Sequence, residues 1–257
     1  MKIATLVVNV MLIAALPAGA QSRFEAEWPR VVEAMERGAV RGDAAALRES
    51  IGVLKTMKAT ALPRDHAKLV RYAIAYSSWR LCVLPAAGKD EKDTLLDAAL
   101  AELKEAVGLD ERFAEAHSLM GSVYGMQIGS SPFKGMFLGP KSGATVEAAL
   151  KLEPRNPRIV LGKAVGTLHT PAMFGGGADK AEPLVRQAIE LFQQEPPDRP
   201  WPNWGRMDAH AWLGQILAKR GDRAGARAEY EKALALEPES GWIKYRLMPS
   251  LEKGARR

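Results

Sequence analysis

Apolar residues recur along this chain with a helical period, in paired runs separated by turn-forming residues. From Met207 to Ser240, Ala209, Leu213, Gly214 and Leu217 mark one run and Ala226, Tyr230, Ala233 and Leu236 a second; Arg220-Gly221-Asp222 separates them and Pro238 stops the second. The pattern predicts a helical hairpin in which Gly214 and Ala226 permit a close approach and Tyr230 fills the space beyond them. The start of the chain shows the same arrangement. Phe24, Trp28, Val31, Val32 and Met35 lie at helical spacing, Gly38 and Arg41-Gly42-Asp43 interrupt them, and Leu47, Ile51 and Leu54 match Ala226, Tyr230 and Ala233 offset by offset. Both triplets spell a cell-adhesion tripeptide, but a hairpin turn explains them better, with Gly ending one helix and Asp capping the next.

Three further hairpins lie between these two. The five are expected over about 23–57, 63–110, 113–154, 156–194 and 206–238, with a cap over 240–252. In the second, Leu69, Tyr72, Ala73, Tyr76, Trp79 and Val83 mark one helix and Leu96, Ala99, Leu103 and Ala106 the other, across the breaker Pro85 to Asp90. The third has Ala114, His117, Met120, Gly121 and Tyr124, then Val146, Ala149 and Pro154. Between them Gly129 to Pro140 reads as an inserted loop carrying Phe133, Met136, Phe137 and Leu138, either tucked against the array or used as a contact surface. In the fourth, Ile159, Leu161, Val165 and Leu168 precede a second insertion, Thr170 to Ala181, and Val185 and Ala188 follow it. Gly175-Gly176-Gly177 could cradle a phosphate, but no preceding strand and no Lys-Ser/Thr pair accompany it, so a widened turn capped by Asp179 is expected.

The spacing of Gly214, Ala226, Ala233 and Pro238 resembles the tetratricopeptide repeat, a helix–turn–helix unit of about 34 residues, with the early Trp displaced to Trp212. The second hairpin departs from the pattern at Glu111, where the repeat has Pro. Such a hairpin cannot bury its apolar face alone. The resemblance therefore implies an all-α fold, a right-handed α-solenoid of about five hairpins plus a C-terminal capping helix, as one domain over residues 21–257. Asn156-Pro157-Arg158 through Thr170-Pro171 to Phe174-Gly175-Gly176 with Lys180-Ala181 is similar to a subset of exported bacterial repeat proteins, which bears on class and location and adds no reaction.

Residues 1–20 do not fit the solenoid. Lys2, an apolar run from Ile3 to Leu16 and the small-x-small triplet Ala18-Gly19-Ala20 predict a cleaved leader, and the run is shorter than the roughly 20 residues a spanning helix needs. The mature chain is expected outside the cytoplasm, periplasmic or secreted, without stable membrane insertion. Cys82, the single cysteine, lies on an apolar face and suits a buried structural role. The formal charge of +6 includes Lys2, the one charge in the leader, so the mature chain carries +5. Arg220, Arg223 and Arg227 are interleaved with Glu229, Glu231 and Glu237, a solvated face rather than a nucleic-acid site.

No catalytic constellation is legible. The histidines at 66, 117, 169 and 210 are far apart, no H-E-x-x-H or Gly-x-Ser-x-Gly occurs, and neither an enzyme nor a cofactor or metal is expected. A binding surface remains. The family's spacing places Glu115, Ser118 and Ser122, then Arg158, Val165 and His169, then Asp208, Gln215 and Lys219 on the concave side. The repeated Lys/Asn set of carboxylate-gripping repeats is missing. Trp201 and Trp204, in the Pro-rich stretch from Pro196 to Gly205, either contact a ligand or cover the neighbouring hairpin. The expected partner is a segment of another exported or envelope protein. The alternative is a small-ligand pocket, as in repeat components of periplasmic transport systems, where the 133–138 and 174–177 loops converge.

Overall fold

A computed structural model of the chain describes residues 18–130 and 133–253, and all regular structure among them is helical. Helices pair in sequence: α1 (Ala18–Arg41) with α2 (Ala44–Lys58), α3 (Arg64–Cys82) with α4 (Lys89–Leu109), α5 (Ala114–Ser130) with α6 (Lys134–Leu152), α7 (Pro157–His169) with α8 (Ala178–Gln194), and α9 (Arg206–Lys219) with α10 (Arg223–Leu236). A π-type turn, Ile243–Leu247, leads into α11 (Met248–Lys253). The expected leader lies outside the described residues as far as residue 17, and Ala18 to Ala20 are the first helical residues of α1. No described helix is long and apolar enough to cross a membrane.

The turns have identifiable causes. Gly42 and Gly221 adopt φ of 75° and 85°, conformations that an L side chain strains to reach. The carboxylate of Asp43 then accepts from the backbone N–H of Ala45 and Ala46, and Asp222 accepts from Gly225, so each Asp caps the helix that follows. Asn156 caps α7 by accepting from the Arg158 N–H, with Pro157 in the first helical position. The hairpins close on small residues: a Cβ on Gly214 would lie 2.4 Å from the Tyr230 ring, and one on Gly121 2.5 Å from Val146. The largest core cluster runs through α1 to α5; Ala226, Tyr230, Ala233 and Ile243 anchor a separate one under the cap.

Two expectations need correction. The stretch 129–140 is helical at both ends, with α5 continuing to Ser130 and α6 beginning at Lys134 and including Pro140. Leu138 packs against the main core and Gly135 lies near Ile128, so tertiary contact outweighs the poor propensity of its Gly and Pro. Leu138 alone of the four apolar residues tucks in; Phe133, Met136 and Phe137 are exposed. Asp179 does not cap α8. Gly177 occupies that position, and the Asp179 carboxylate pairs with Arg220 on the surface.

Candidate functional site

Side chains of the first helices α1, α3 and α5, with Arg158 at the start of α7, hold the segment between α8 and α9. That segment, residues 195–205, has no repetitive structure because Pro196, Pro197, Pro200 and Pro202 remove four backbone donors. The side chains of Trp201 and Trp204 are inserted among rings spaced on the helices at i, i+4 and i+7. Trp201 meets Trp28 of α1 edge-on at 5.5 Å between centroids, and Tyr72 and Tyr76 of α3 at 5.2 and 6.1 Å. Trp204 lies 5.2 Å from Tyr76 and 5.8 Å from Trp79. Phe24 extends the series from Trp28 to His66, stacking on the latter at 3.9 Å. Each offset or edge contact adds to the area buried, so the series holds the segment well beyond simple burial.

Charged groups fix the ends of the segment. Arg158, 2% exposed, donates to both oxygens of Glu195 at 2.6 and 2.8 Å and lies over the Phe192 ring. Arg199 pairs with Glu195 and with Glu115 of α5, whose carboxylate also accepts from Asn156. Burial pushes the Glu195 carboxyl up, but the hydrogen bonds and charge of Arg158, with Arg199 and Arg206, hold it below the ordinary carboxylate range. Across the array, Arg80 of α3 donates to Asp208 of α9 at 3.0 Å; burial pushes the guanidinium pKa down, but the charge and hydrogen bond of that carboxylate outweigh it and leave the pKa raised. Glu36 faces the Trp201 indole N–H without reaching hydrogen-bond geometry. Burial raises its carboxyl above the ordinary value, Trp201 opposes the shift, and Glu237 adds to it.

The expected site residues therefore divide. Glu115, Ser118, Arg158 and Asp208 are buried, and Trp201 and Trp204 pack on the core, all engaged within the chain. A partner could not reach Arg158 or Asp208 without breaking an ion pair. Ser122 and Gln215 are half-buried, while His169 and Lys219 are exposed. Sequence reasoning missed Trp28, Glu36, Tyr72, Tyr76, Trp79, Arg80, Glu195 and Arg199. The available signal was the coincidence of aromatics at i, i+4 and i+7 in α3 with two Trp in a segment that cannot be helical.

A second ring series stays accessible. His169 at the end of α7 meets Trp212 of α9 edge-on at 5.6 Å, and Trp212 meets Trp242 of the cap at 5.4 Å. Desolvation and the nearby Lys219 charge lower the His169 pKa, favouring a neutral imidazole. On α8, α9 and α10, an open groove of about 570 Å³ is lined by Ile189, Phe192, Leu213 and Leu236, with His210 and Glu229 paired at 2.7 Å in its wall. No residue of the 133–138 or 174–177 insertions lines the groove. Phe133 and Phe174 are 87% and 72% exposed, so their side chains do not enclose the small-ligand pocket expected there. No group of three His, Cys, Asp or Glu among the described residues could hold a metal ion. Burial pushes the Cys82 thiol up to about 12, which leaves it unreactive.

Comparisons with known proteins agree with this architecture. The family model for the tetratricopeptide repeat matches residues 207–240. Among solved structures, the HusA haemophore from Porphyromonas gingivalis is similar over 73% of this chain and 93% of its own, at 24% identity and a TM-score of 0.57. A thermophilic TPR protein of Thermus thermophilus is similar over 73% of this chain and 90% of its own, at 19% identity and a TM-score of 0.48. No curated protein matches the chain. At these identities the structural likeness concerns the fold alone.

Proposed function

We propose that this chain, whose residues 207–240 match the tetratricopeptide-repeat model, is an exported scaffold which binds a segment of another envelope protein and performs no chemistry on it. The observation that carries this reading is the division of the helical face. Residues 195–205 fill the part formed by α1, α3 and α5, whereas the His169, Trp212 and Trp242 rings with Lys219 and Gln215 remain accessible along α7, α9 and the cap. Half-exposed Trp beside a neutral imidazole and an exposed ammonium suits an extended segment that offers an apolar or aromatic side chain and a carboxylate.

In-cell photocrosslinking tests the reading. A crosslinker at position 219 is expected to trap one discrete envelope protein, and Trp212→Ala is expected to abolish that adduct while a crosslinker at Val53 on α2 traps none. Adducts as numerous at Val53 as at position 219 would contradict it. Fractionation should find the chain outside the cytoplasm and shortened to begin at Gln21. Since one fold neighbour is a haemophore, haemin titration is the counter-test: saturable, stoichiometric binding with a shifted Soret band would replace protein binding by small-ligand carriage.

A further inference from the structure

Helix α6 turns an apolar stripe outward. Phe133, at its N-cap, and Met136 and Phe137 stand at i, i+3 and i+4 on one face and are 87%, 77% and 71% exposed, while Leu138 on the opposite side is the residue that reaches the core. Met173 and Phe174, in the single 3₁₀ turn between α7 and α8, are 83% and 72% exposed. Both groups lie at one edge of the solenoid. Asn156 at the start of α7 donates to Glu115 at the start of α5, and Gly162 rests against Ser118 further along. The two helices thus run side by side in the same direction, and the turns that follow them open on the same side.

The charges of this edge that lack an ion-pair partner among the described residues have one sign. No carboxylate occurs between Phe133 and Val146, and Lys134, Lys141 and Lys180 form no ion pair among the described residues. The nearest acids are engaged, Asp179 by Arg220 and Glu147 by Lys163. From this juxtaposition we propose that the edge docks on an anionic lipid membrane, its phenyl and thioether side chains entering the headgroup region and its lysines drawing on lipid phosphates. Three of these apolar side chains project from the start of α6 and two from the 3₁₀ turn rather than lining a pocket, the geometry of interfacial insertion rather than of a protein hot spot. Lysines on long stems can reach headgroup phosphates while the apolar tips are buried beneath them.

Vesicle flotation of the full folded protein decides it. Wild-type protein is expected to float with vesicles of phosphatidylcholine mixed with phosphatidylglycerol, to remain below vesicles of phosphatidylcholine alone, and to be released as salt is raised. Phe133→Ser with Phe137→Ser is expected to weaken flotation about tenfold or more with helicity unchanged, since both side chains are already in solvent. Lys134→Glu with Lys141→Glu is expected to erase the preference for the anionic lipid. Wild-type protein that stays in solution at low salt, or a serine variant that floats as well as wild type, overturns the proposal. Dimerisation that depends on Phe133 and Phe137 without vesicle binding would also overturn it and assign the edge to a second copy of the chain.

Discussion

Buried ionic groups decide the behaviour of the central site residue by residue. Arg158 has an internal counter-ion on both of its terminal nitrogens, so Arg158→Ala leaves Glu195 buried beside only Arg199 and Arg206. A loss of about 3 kcal/mol or more in denaturant unfolding is expected. Glu36 behaves in the opposite sense. Its carboxyl pKa is raised in the folded state, so its contribution is full below the ordinary value of 4.5 and is lost as pH rises through the folded value. Glu36→Gln should therefore stabilise the protein by about 1 kcal/mol near neutrality. The gain should vanish at about pH 4, where wild-type Glu36 is itself protonated, and unfolding curves at the two pH values check it. Neither role was legible in the sequence. Periodicity places Arg158 and Asp208 on first helices, but a face cannot reveal that Glu195 or Arg80 arrives from elsewhere to neutralise them.

Hairpin packing was far more legible than side-chain partnership. The Gly214, Ala226, Tyr230 and Ala233 spacing prescribes the α9–α10 contact, and Gly214→Ala would drive a methyl into the Tyr230 ring and the Ala226 carbonyl. The substitution is expected to cost about 1–3 kcal/mol despite the better helix propensity of Ala, as read by thermal unfolding. The Arg-Gly-Asp turns were legible for the same local reason, since a positive φ and an N-cap are written in adjacent residues. The α5–α6 connection was not, because Gly135, Gly139, Pro140 and Gly143 imitate a loop while contacts with α5 and the core hold them helical.

Across the whole molecule, distant segments close the array. Arg41 at the end of α1 pairs with Glu239 before the cap, and Gly241 packs so tightly that a Cβ there would lie 2.2 Å from the Arg41 carbonyl oxygen. Within that closure, residues 195–205 serve as internal filling, which removes Glu115, Arg158, Asp208, Trp201 and Trp204 from the surface offered to a partner. Trp201→Ala should cost about 3 kcal/mol. It should also loosen α1 and α3 in hydrogen exchange more than α10, whose buried apolar residues belong to a separate core cluster. The repeat's spacing indicates how many hairpins stack, but a non-repeating segment of about ten residues carries no period from which its destination could be read. The most direct measurement is a nuclear Overhauser spectrum of the folded protein: cross-peaks from the Trp201 indole to the rings of Trp28, Tyr72 and Tyr76 are expected, and a Trp201 indole with no cross-peak to any of the three would contradict the account.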